Sequence, residues 1–331
     1  MTAVTMTAAS MTVPATQAPR QSALAPAGPD AAIIDQLGWT MTIGSAVILV
    51  AVMALLARAM RPGRPVPARF WIVGGGLVLP LAILTALLGW SLASTAGLSR
   101  PSSLTALRVA VTAKMWWWEV RYIDPATGRD VVLANEIRLP VGQPVYLSLT
   151  SDDVIHSFWV PALAGKVDMV PGRVHGLTLR ADRAGTWRGQ CAEFCGIQHA
   201  RMALHVVAQP PAEFDAWLAA QAGPAAAPAA AQLLRGRQVF LERRCNACHA
   251  VRGVAEGTRD GAAGSPAAGP DLTHVGSRLY LAAGTLPVHQ GTLAGWIADP
   301  QSIKPGARMP AARGLEGDEL RALAAWLESL K

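Results

Sequence analysis

Two stretches without a charged residue, 39–57 and 70–99, dominate the first third of the chain. Each is long enough to cross a hydrocarbon layer of ~30 Å as a helix rising ~1.5 Å per residue. The second carries Gly74, Gly75, Gly76 and Pro80, which weaken a soluble helix but are tolerated in a span packed against neighbours. Between the runs lie Arg58, Arg61, Arg64 and Arg69 and no acid, so the positive-inside rule puts this loop in the cytoplasm. The N-terminus and everything after Ser99 then lie on the opposite side. A pair of buried helices in a soluble protein is the alternative, and the short basic loop between two long uncharged runs speaks against it. The opening residues are rich in Ala, Thr and Pro, with no basic segment followed by an apolar core. They read as a disordered tail over 1–32 rather than a cleaved signal peptide, with the two spans over 33–99.

Beyond residue 99 the hydrophobic period changes. Runs at 107–123, 131–139, 145–150, 154–160, 174–179 and 203–207 are short, rich in β-branched and aromatic residues, and separated by Gly/Pro turns. They predict a β-sandwich or barrel over 104–220, closed by a helical turn around 211–220. An Ala/Pro stretch, 221–231, reads as a semi-rigid tether rather than a packed element. From 232 to 331 the pattern is one of short helices joined by Gly/Pro-rich loops.

Composition agrees with a membrane-anchored chain: of 331 residues, 51% are hydrophobic and only 15% charged. The net charge of +7 comes from arginines divided between the basic loop and the C-terminal domain, with no interleaved aromatic strip, so a membrane surface explains it better than nucleic acid.

Candidate chemistry is concentrated in two places. The segment Cys191-Ala192-Glu193-Phe194-Cys195-Gly196-Ile197-Gln198-His199-Ala200-Arg201-Met202 gathers two thiols, an imidazole and a thioether. Thiolate and thioether sulfur select copper, whereas a structural zinc site rarely recruits methionine. With a further histidine, for which His156 is the candidate, two thiolates one loop-turn apart can bridge two metal ions. A Cys191–Cys195 disulfide is the rival reading, and it leaves His199 and Met202 unexplained. Downstream, Cys245-Asn246-Ala247-Cys248-His249 has the spacing for covalent attachment of a c-type haem, with His249 as proximal ligand. Met309 is the only methionine after that motif and the expected distal ligand, with His274 and His289 as rivals. A thioredoxin-like redox motif is disfavoured because no βαβ pattern surrounds Cys245. The chain has 4 cysteines, two in each proposed site, so none is left to staple the fold.

With both motifs in place, the chain resembles subunit II of the haem-copper cytochrome c oxidases, in the variety with a fused C-terminal cytochrome c. The order of the two spans, the stretch Lys114-Met115-Trp116-Trp117-Trp118-Glu119, the segment 156–173 and the cysteine loop carries the resemblance, which covers residues from about 36 to 331. It implies a multidomain membrane protein: a two-helix transmembrane hairpin, a cupredoxin-like Greek-key β-sandwich and an all-α cytochrome c domain. It further implies a dinuclear copper centre, CuA, held by His156, Cys191, Cys195, His199, Met202 and the backbone carbonyl of Glu193. The Glu193 side chain would help bind a magnesium ion shared with subunit I, and Trp116 would be the surface point where electrons enter from a cytochrome c. Asp168 and Arg173 would face subunit I. The implied partners are subunits I and III, an upstream cytochrome c or other donor, and the lipid bilayer. The implied place is a bacterial inner membrane with the N-terminus and both metal domains on the periplasmic side.

The implied role is electron transfer, with dioxygen reduction in a partner subunit, since the two spans contain no histidine to bind haem. One departure concerns the second span, where 70–80 lacks the carboxylate that family members commonly place at a proton path. Proton uptake is therefore expected from elsewhere. Among rivals, a nitrous-oxide reductase needs a histidine-rich propeller, and this chain has 7 histidines. A free membrane-anchored electron carrier serving another reductase, or a copper-delivery protein, would leave Glu193 and the two spans without a catalytic subunit to contact.

Overall fold

The computed structural model describes residues 19, 21–61, 63, 67–98, 107–123, 130–255 and 269–331. Residues 1–18 of the expected tail and Arg64 of the basic loop lie outside them. Helix α1, Pro29–Ala59, and the helix Phe70–Thr95 are each long and apolar enough to cross a membrane, and none of their apolar windows is buried in the molecule. The second helix is π-helical over Phe70–Val78 and becomes α2 over Leu79–Thr95. The amide of Leu79 reaches back five residues to the Gly74 carbonyl. Pro80 accounts for this locally: its ring crowds the carbonyl one turn earlier, and three glycines let the backbone widen.

The assignment of residues 21–32 to a disordered tail is corrected by the structure. Ala27 is pinned on both sides, its amide donating to Ala162 O at 2.7 Å and its carbonyl accepting from the Asp182 amide at 2.8 Å. A Cβ on Gly28 would lie 2.4 Å from Arg180 O, so only glycine allows this close approach as the chain enters α1. The first helix is therefore seated on the domain that follows the spans.

That domain is a sandwich of two five-stranded sheets. Its strands are β1 Leu107–Lys114, β2 Trp117–Ile123, β3 Asp130–Ala134, β4 Glu136–Pro140, β5 Val145–Ser151, β6 His156–Trp159, β7 Val167–Met169, β8 His175–Leu179, β9 Gly185–Cys191 and β10 Ala203–Gln209. One sheet runs β3-β2-β1-β5-β8 and the other β4-β10-β9-β6-β7, with parallel pairs only at β1–β5 and β4–β10 among these strands. Alternation sends Val109, Val111, Trp118, Val120, Leu147 and Leu149 inward from one sheet to meet Ile137, Phe158, Trp187, Leu204 and Val206 from the other. Each such side chain contributes roughly 1.5–3 kcal/mol by leaving water.

Two details differ from the sequence pattern. The run 107–123 is a hairpin rather than one strand, because it turns at Met115 and Trp116 and pairs Lys114 with Trp117. Strand β9 has no apolar run: Trp187, Gly189 and Cys191 point inward between polar residues. Gly189 is needed there, since a Cβ would come within 2.8 Å of Trp159 O and 2.9 Å of Leu204 and Val160.

Helix α3, Pro211–Ala222, extends two residues into the expected tether. The first residues of the expected semi-rigid tether are packed against the C-terminal domain. Arg252 Nη1 donates to the carbonyls of Gln221, Ala222 and Gly223 at 3.0, 2.7 and 3.1 Å, and the Ala225 amide donates to Arg252 O at 2.9 Å. The C-terminal domain follows with α4 Ala231–Glu242, α5 Gln290–Ala298, α6 Pro300–Ile303 and α7 Gly317–Ser329. Helices α4 and α7 cross at Gly236, where a Cβ would sit 2.1 Å from Ala322 O, and Phe240 packs on Trp326 with ring centroids 5.1 Å apart.

Sandwich and C-terminal domain are joined by more than the linker. The Ala203 amide donates to Ala283 O at 3.0 Å, the Leu279 amide donates to Glu136 Oε2 at 2.9 Å, and the His205 and Tyr280 rings stack at 4.2 Å and 13°.

Candidate metal centres

Both thiols of the 191–202 loop are free and buried. Strand β9 ends at Cys191, a tight loop brings Cys195 back beside it, and a 3-10 turn, His199–Arg201, returns the chain to β10 at Met202. The sulfurs lie 3.7 Å apart. His156 Nδ1 is 3.8 Å from Cys191 Sγ, while His199 Nδ1 and Met202 Sδ are 3.8 and 3.9 Å from Cys195 Sγ. Glu193 O lies 3.2 Å from Cys191 Sγ. One ligand atom from each of His156, Cys191 and Cys195 falls within 4.8 Å of the others. With metal–thiolate bonds of ~2.3 Å as the scale, sulfurs at this separation can share an ion between them. The donor set is soft and copper-like, so the residues fit the group that the sequence implied.

Electrostatics support that fit. The hydrogen bond between the two thiols outweighs the cost of burial at Cys191 and holds that thiol well below the usual thiol range, while Cys195 is driven up. Soft thiolate ligands must give up their protons to bind a cation, so copper binding at this pair would release protons. Burial works against a charged His156, yet its bonds to Cys191 and Asp153 outweigh it and raise the imidazole. Asp153 Oδ1 lies 2.8 Å from His156 Nε2 and so orients Nδ1 toward the sulfurs. Asp153 was not among the residues singled out from the sequence. Its signal was the D-x-x-H spacing.

Glu193 points its carboxylate outward, 43% exposed, with Lys166 Nζ at 3.9 Å. One carboxylate beside an ammonium does not furnish the six-oxygen shell magnesium requires, so the described residues alone do not fit that ion. Asp168 pairs with Lys166 at 3.1 Å, both 49% exposed.

Trp116 lies at the hairpin turn between β1 and β2. Its indole Nε1 donates to Cys195 O at 2.7 Å, and Gly196, at φ +109°, leaves room for the ring where a Cβ would sit 3.0 Å from it. It is half-buried and packed against the C-terminal domain. Lys304 Nζ donates to Trp116 O at 2.7 Å, and Gly306 packs beside the ring. Burial pushes the Lys304 ammonium down to about 7.

The second site is a cavity of about 920 Å³ in the C-terminal domain, lined by Cys245, Cys248, His249 and Met309 and, from the sandwich, by Trp116 and Asn135. A short turn, Cys245–Ala247, presents the cysteines. His249 Nδ1 bonds Pro270 O at 2.8 Å, which leaves Nε2 free as a ligand, and burial lowers the imidazole so that it stays neutral. Gly269 makes room for that ring, since a Cβ there would lie 2.6 Å from it. Arg278 also lines the cavity, buried, with Nη2 donating to Asp271 O at 2.6 Å and Nε lacking a partner. An apolar cavity with two thiols, an imidazole, a thioether and a buried guanidinium whose Nε is unpartnered fits a haem with its anionic edge. The rivals to Met309 are engaged elsewhere: His274 bonds Lys331 O and Gly223 O, each at 3.1 Å, and His289 caps α5 by accepting from the Thr292 amide.

Comparison with known proteins follows the same division. Residues 109–209 match the family described as cytochrome c oxidase subunit II, periplasmic domain, and residues 233–331 match cytochrome c. Cytochrome c oxidase subunit 2 of Alkalihalophilus pseudofirmus is 40% identical over 223 residues, covering 67% of this chain and 61% of its own length. The protein of the same name from Bacillus subtilis is 31% identical over 264 residues, covering 77% and 70%. That from Bacillus sp. strain PS3 is 30% identical, covering 77% and 71%. Among solved structures, the periplasmic domain of subunit II of cytochrome oxidase from Bradyrhizobium japonicum is 29% identical, with a TM-score of 0.33, over 37% of this chain and 95% of that one. The two family matches imply copper in the sandwich and haem in the C-terminal domain.

Proposed function

Because the chain belongs to the cytochrome c oxidase subunit 2 family and carries a fused cytochrome c domain, we propose that it is the electron-transfer subunit of a terminal respiratory oxidase. Its C-terminal domain takes up an electron, its sandwich passes it on, and a partner subunit reduces dioxygen to water. When bound, haem and copper supply the one-electron chemistry that side chains lack. Cys245, Cys248, His249 and Met309 would hold the haem. His156, Cys191, Cys195, His199, Met202 and the Glu193 carbonyl would hold a dinuclear copper centre.

The observation that carries this reading is the place of Trp116, in the wall of the C-terminal cavity and hydrogen-bonded to the carbonyl of Cys195. One indole thus spans the gap between the two sites. Asp153 orients His156 from behind, and buried strands on both sides exclude water from the sulfurs.

The partner side of the reading is supported by the exposed apolar tip of the ligand loop, Phe194 at 74% exposure, next to Glu193 and the Lys166–Asp168 pair. This face and the two apolar helices suit a catalytic subunit in the inner membrane, with both metal domains on the periplasmic side. A magnesium ion shared with that subunit would need most of its oxygens from the partner.

Metal analysis and electron paramagnetic resonance on the full chain test the reading. Two coppers per chain in a delocalised mixed-valence signal and one covalent haem are expected. A single-copper signal with four-line hyperfine structure would overturn the dinuclear assignment, and absence of first-order transfer from the C-terminal domain to the sandwich after flash reduction would overturn the relay.

A further inference from the structure

The segment 300–309 faces two ways. On one side it brings Met309 to the cavity, and Gln301 braces that end by donating to the carbonyls of Ala307 and Met309 at 2.7 and 3.2 Å while accepting from the Gly306 amide at 2.8 Å. On the other side it is fastened to the sandwich. Lys304 Nζ donates to Trp116 O at 2.7 Å and Arg201 O at 2.9 Å, with Ala282 O of its own domain at 3.4 Å. Gln198 Nε2 donates to Pro305 O at 2.8 Å, and the Arg201 guanidinium donates to Ile303 O. Gln198 and Arg201 flank the His199 turn, so the segment carrying one candidate axial ligand is tied to the loop carrying the candidate copper ligands.

Lys304 is 4% exposed and forms no salt bridge among the described residues. An ammonium buried against carbonyls alone is costly, and lysine is rarely buried without a charged partner. A Met or Leu would fill the same space more cheaply but could not orient three carbonyls from two domains. What the lysine adds is direction.

We propose that Lys304 and Gln198 form a latch that fixes one docked pose of the C-terminal domain, in which that domain occupies Trp116 and closes the indole to every other electron carrier. An outside carrier would then deliver to the C-terminal domain itself, on the side where Cys248 is exposed. Both are positioning residues and would touch neither metal. The proposal rests on the electron-transfer reading above.

The test uses the full chain with Lys304→Met and Gln198→Ala, singly and together. Amide hydrogen exchange needs no bound group: the amides of Leu279 and Ala203, which cross the interface, should exchange faster by on the order of tenfold or more, while Val111 inside the sandwich stays protected. In the loaded protein the first-order transfer rate should fall on the order of tenfold and become dependent on solvent viscosity, with potentials and the thioether-to-iron band unchanged. Unaltered interface exchange together with a viscosity-independent rate equal to that of the parent chain would overturn the latch. If Lys304→Met lost the thioether band, Gln198→Ala, which lies outside the Met309 segment, decides by the same two outcomes. A parent chain without first-order transfer would sink the functional reading, and the exchange data would still judge the latch.

Discussion

The indole nitrogen of Trp116 and the backbone oxygen of Cys195 are joined by a 2.7 Å hydrogen bond across the closed end of the sandwich. Cys195 is the residue whose sulfur stands among Cys191, His199 and Met202, so Trp116 is hydrogen-bonded to the backbone of a residue in the sulfur cluster. Its opposite side belongs to the cavity of the C-terminal domain.

Trp116→Phe should keep both metal sites and slow transfer between them. Phenylalanine fills most of the space but cannot donate to Cys195 O. A fall in the first-order rate of on the order of tenfold, with unchanged copper and haem spectra, is expected from flash reduction. An undiminished rate would remove Trp116 from the path.

Asp153→Ala should weaken copper binding by roughly 10–100-fold, because the carboxylate that orients His156 is lost. Chelator competition measures the affinity. The haem should stay covalently attached, although Arg308 beside Met309 loses its 4.0 Å contact with Asp153, and equal copper affinity in variant and parent would contradict an orienting role.

Met309→His should leave haem covalently attached through Cys245 and Cys248 but lower its potential, on the order of 0.1 V or more, since a nitrogen donor favours the ferric state. Redox titration and the thioether-to-iron band separate attachment from ligation. A variant that keeps both the potential and the band would show that Met309 is not the distal ligand.

Docking of the two domains should weaken in acid. His205 is stacked on Tyr280 at the interface, and burial, helped by Arg188, pushes its pKa down to about 4 from 6.5. Between those values the exposed state binds more protons than the docked one. Stability therefore rises with pH across the window and is lost as pH falls from about 6.5 toward 4, by at most roughly 3 kcal/mol. Exchange of the Leu279 amide as a function of pH checks this. His205→Phe keeps an aromatic partner for Tyr280 and should flatten the profile, and a profile of the same shape in that variant would assign the effect to another group.

Much of the site was legible in the chain because its chemistry is local. The spacing of Cys191, Cys195, His199 and Met202 lies within twelve residues, and a single tight loop is enough to bring the two sulfurs to 3.7 Å. Cys245, Cys248 and His249 likewise lie on one turn, and two uncharged runs announce two apolar helices through composition alone. Strand β9 was not legible, because its inward residues are Trp187, Gly189 and Cys191, and the glycine is dictated by the backbone of Trp159, a neighbour in space. Asp153 could be weighed only once β6 had turned His156 toward the sulfurs.

The relation between the two domains was decided by tertiary structure alone. An Ala/Pro stretch reads as a spacer, yet Arg252 gathers its carbonyls, and Lys304 reaches across to Trp116 from 188 residues away. Local sequence determines which groups are available to bind a metal, because ligand spacing and helix length are short-range properties. Whether the C-terminal domain swings on a tether or sits on Trp116 depends on pairing buried donors with carbonyls from distant segments, and those pairs exist only when both domains are folded and in contact.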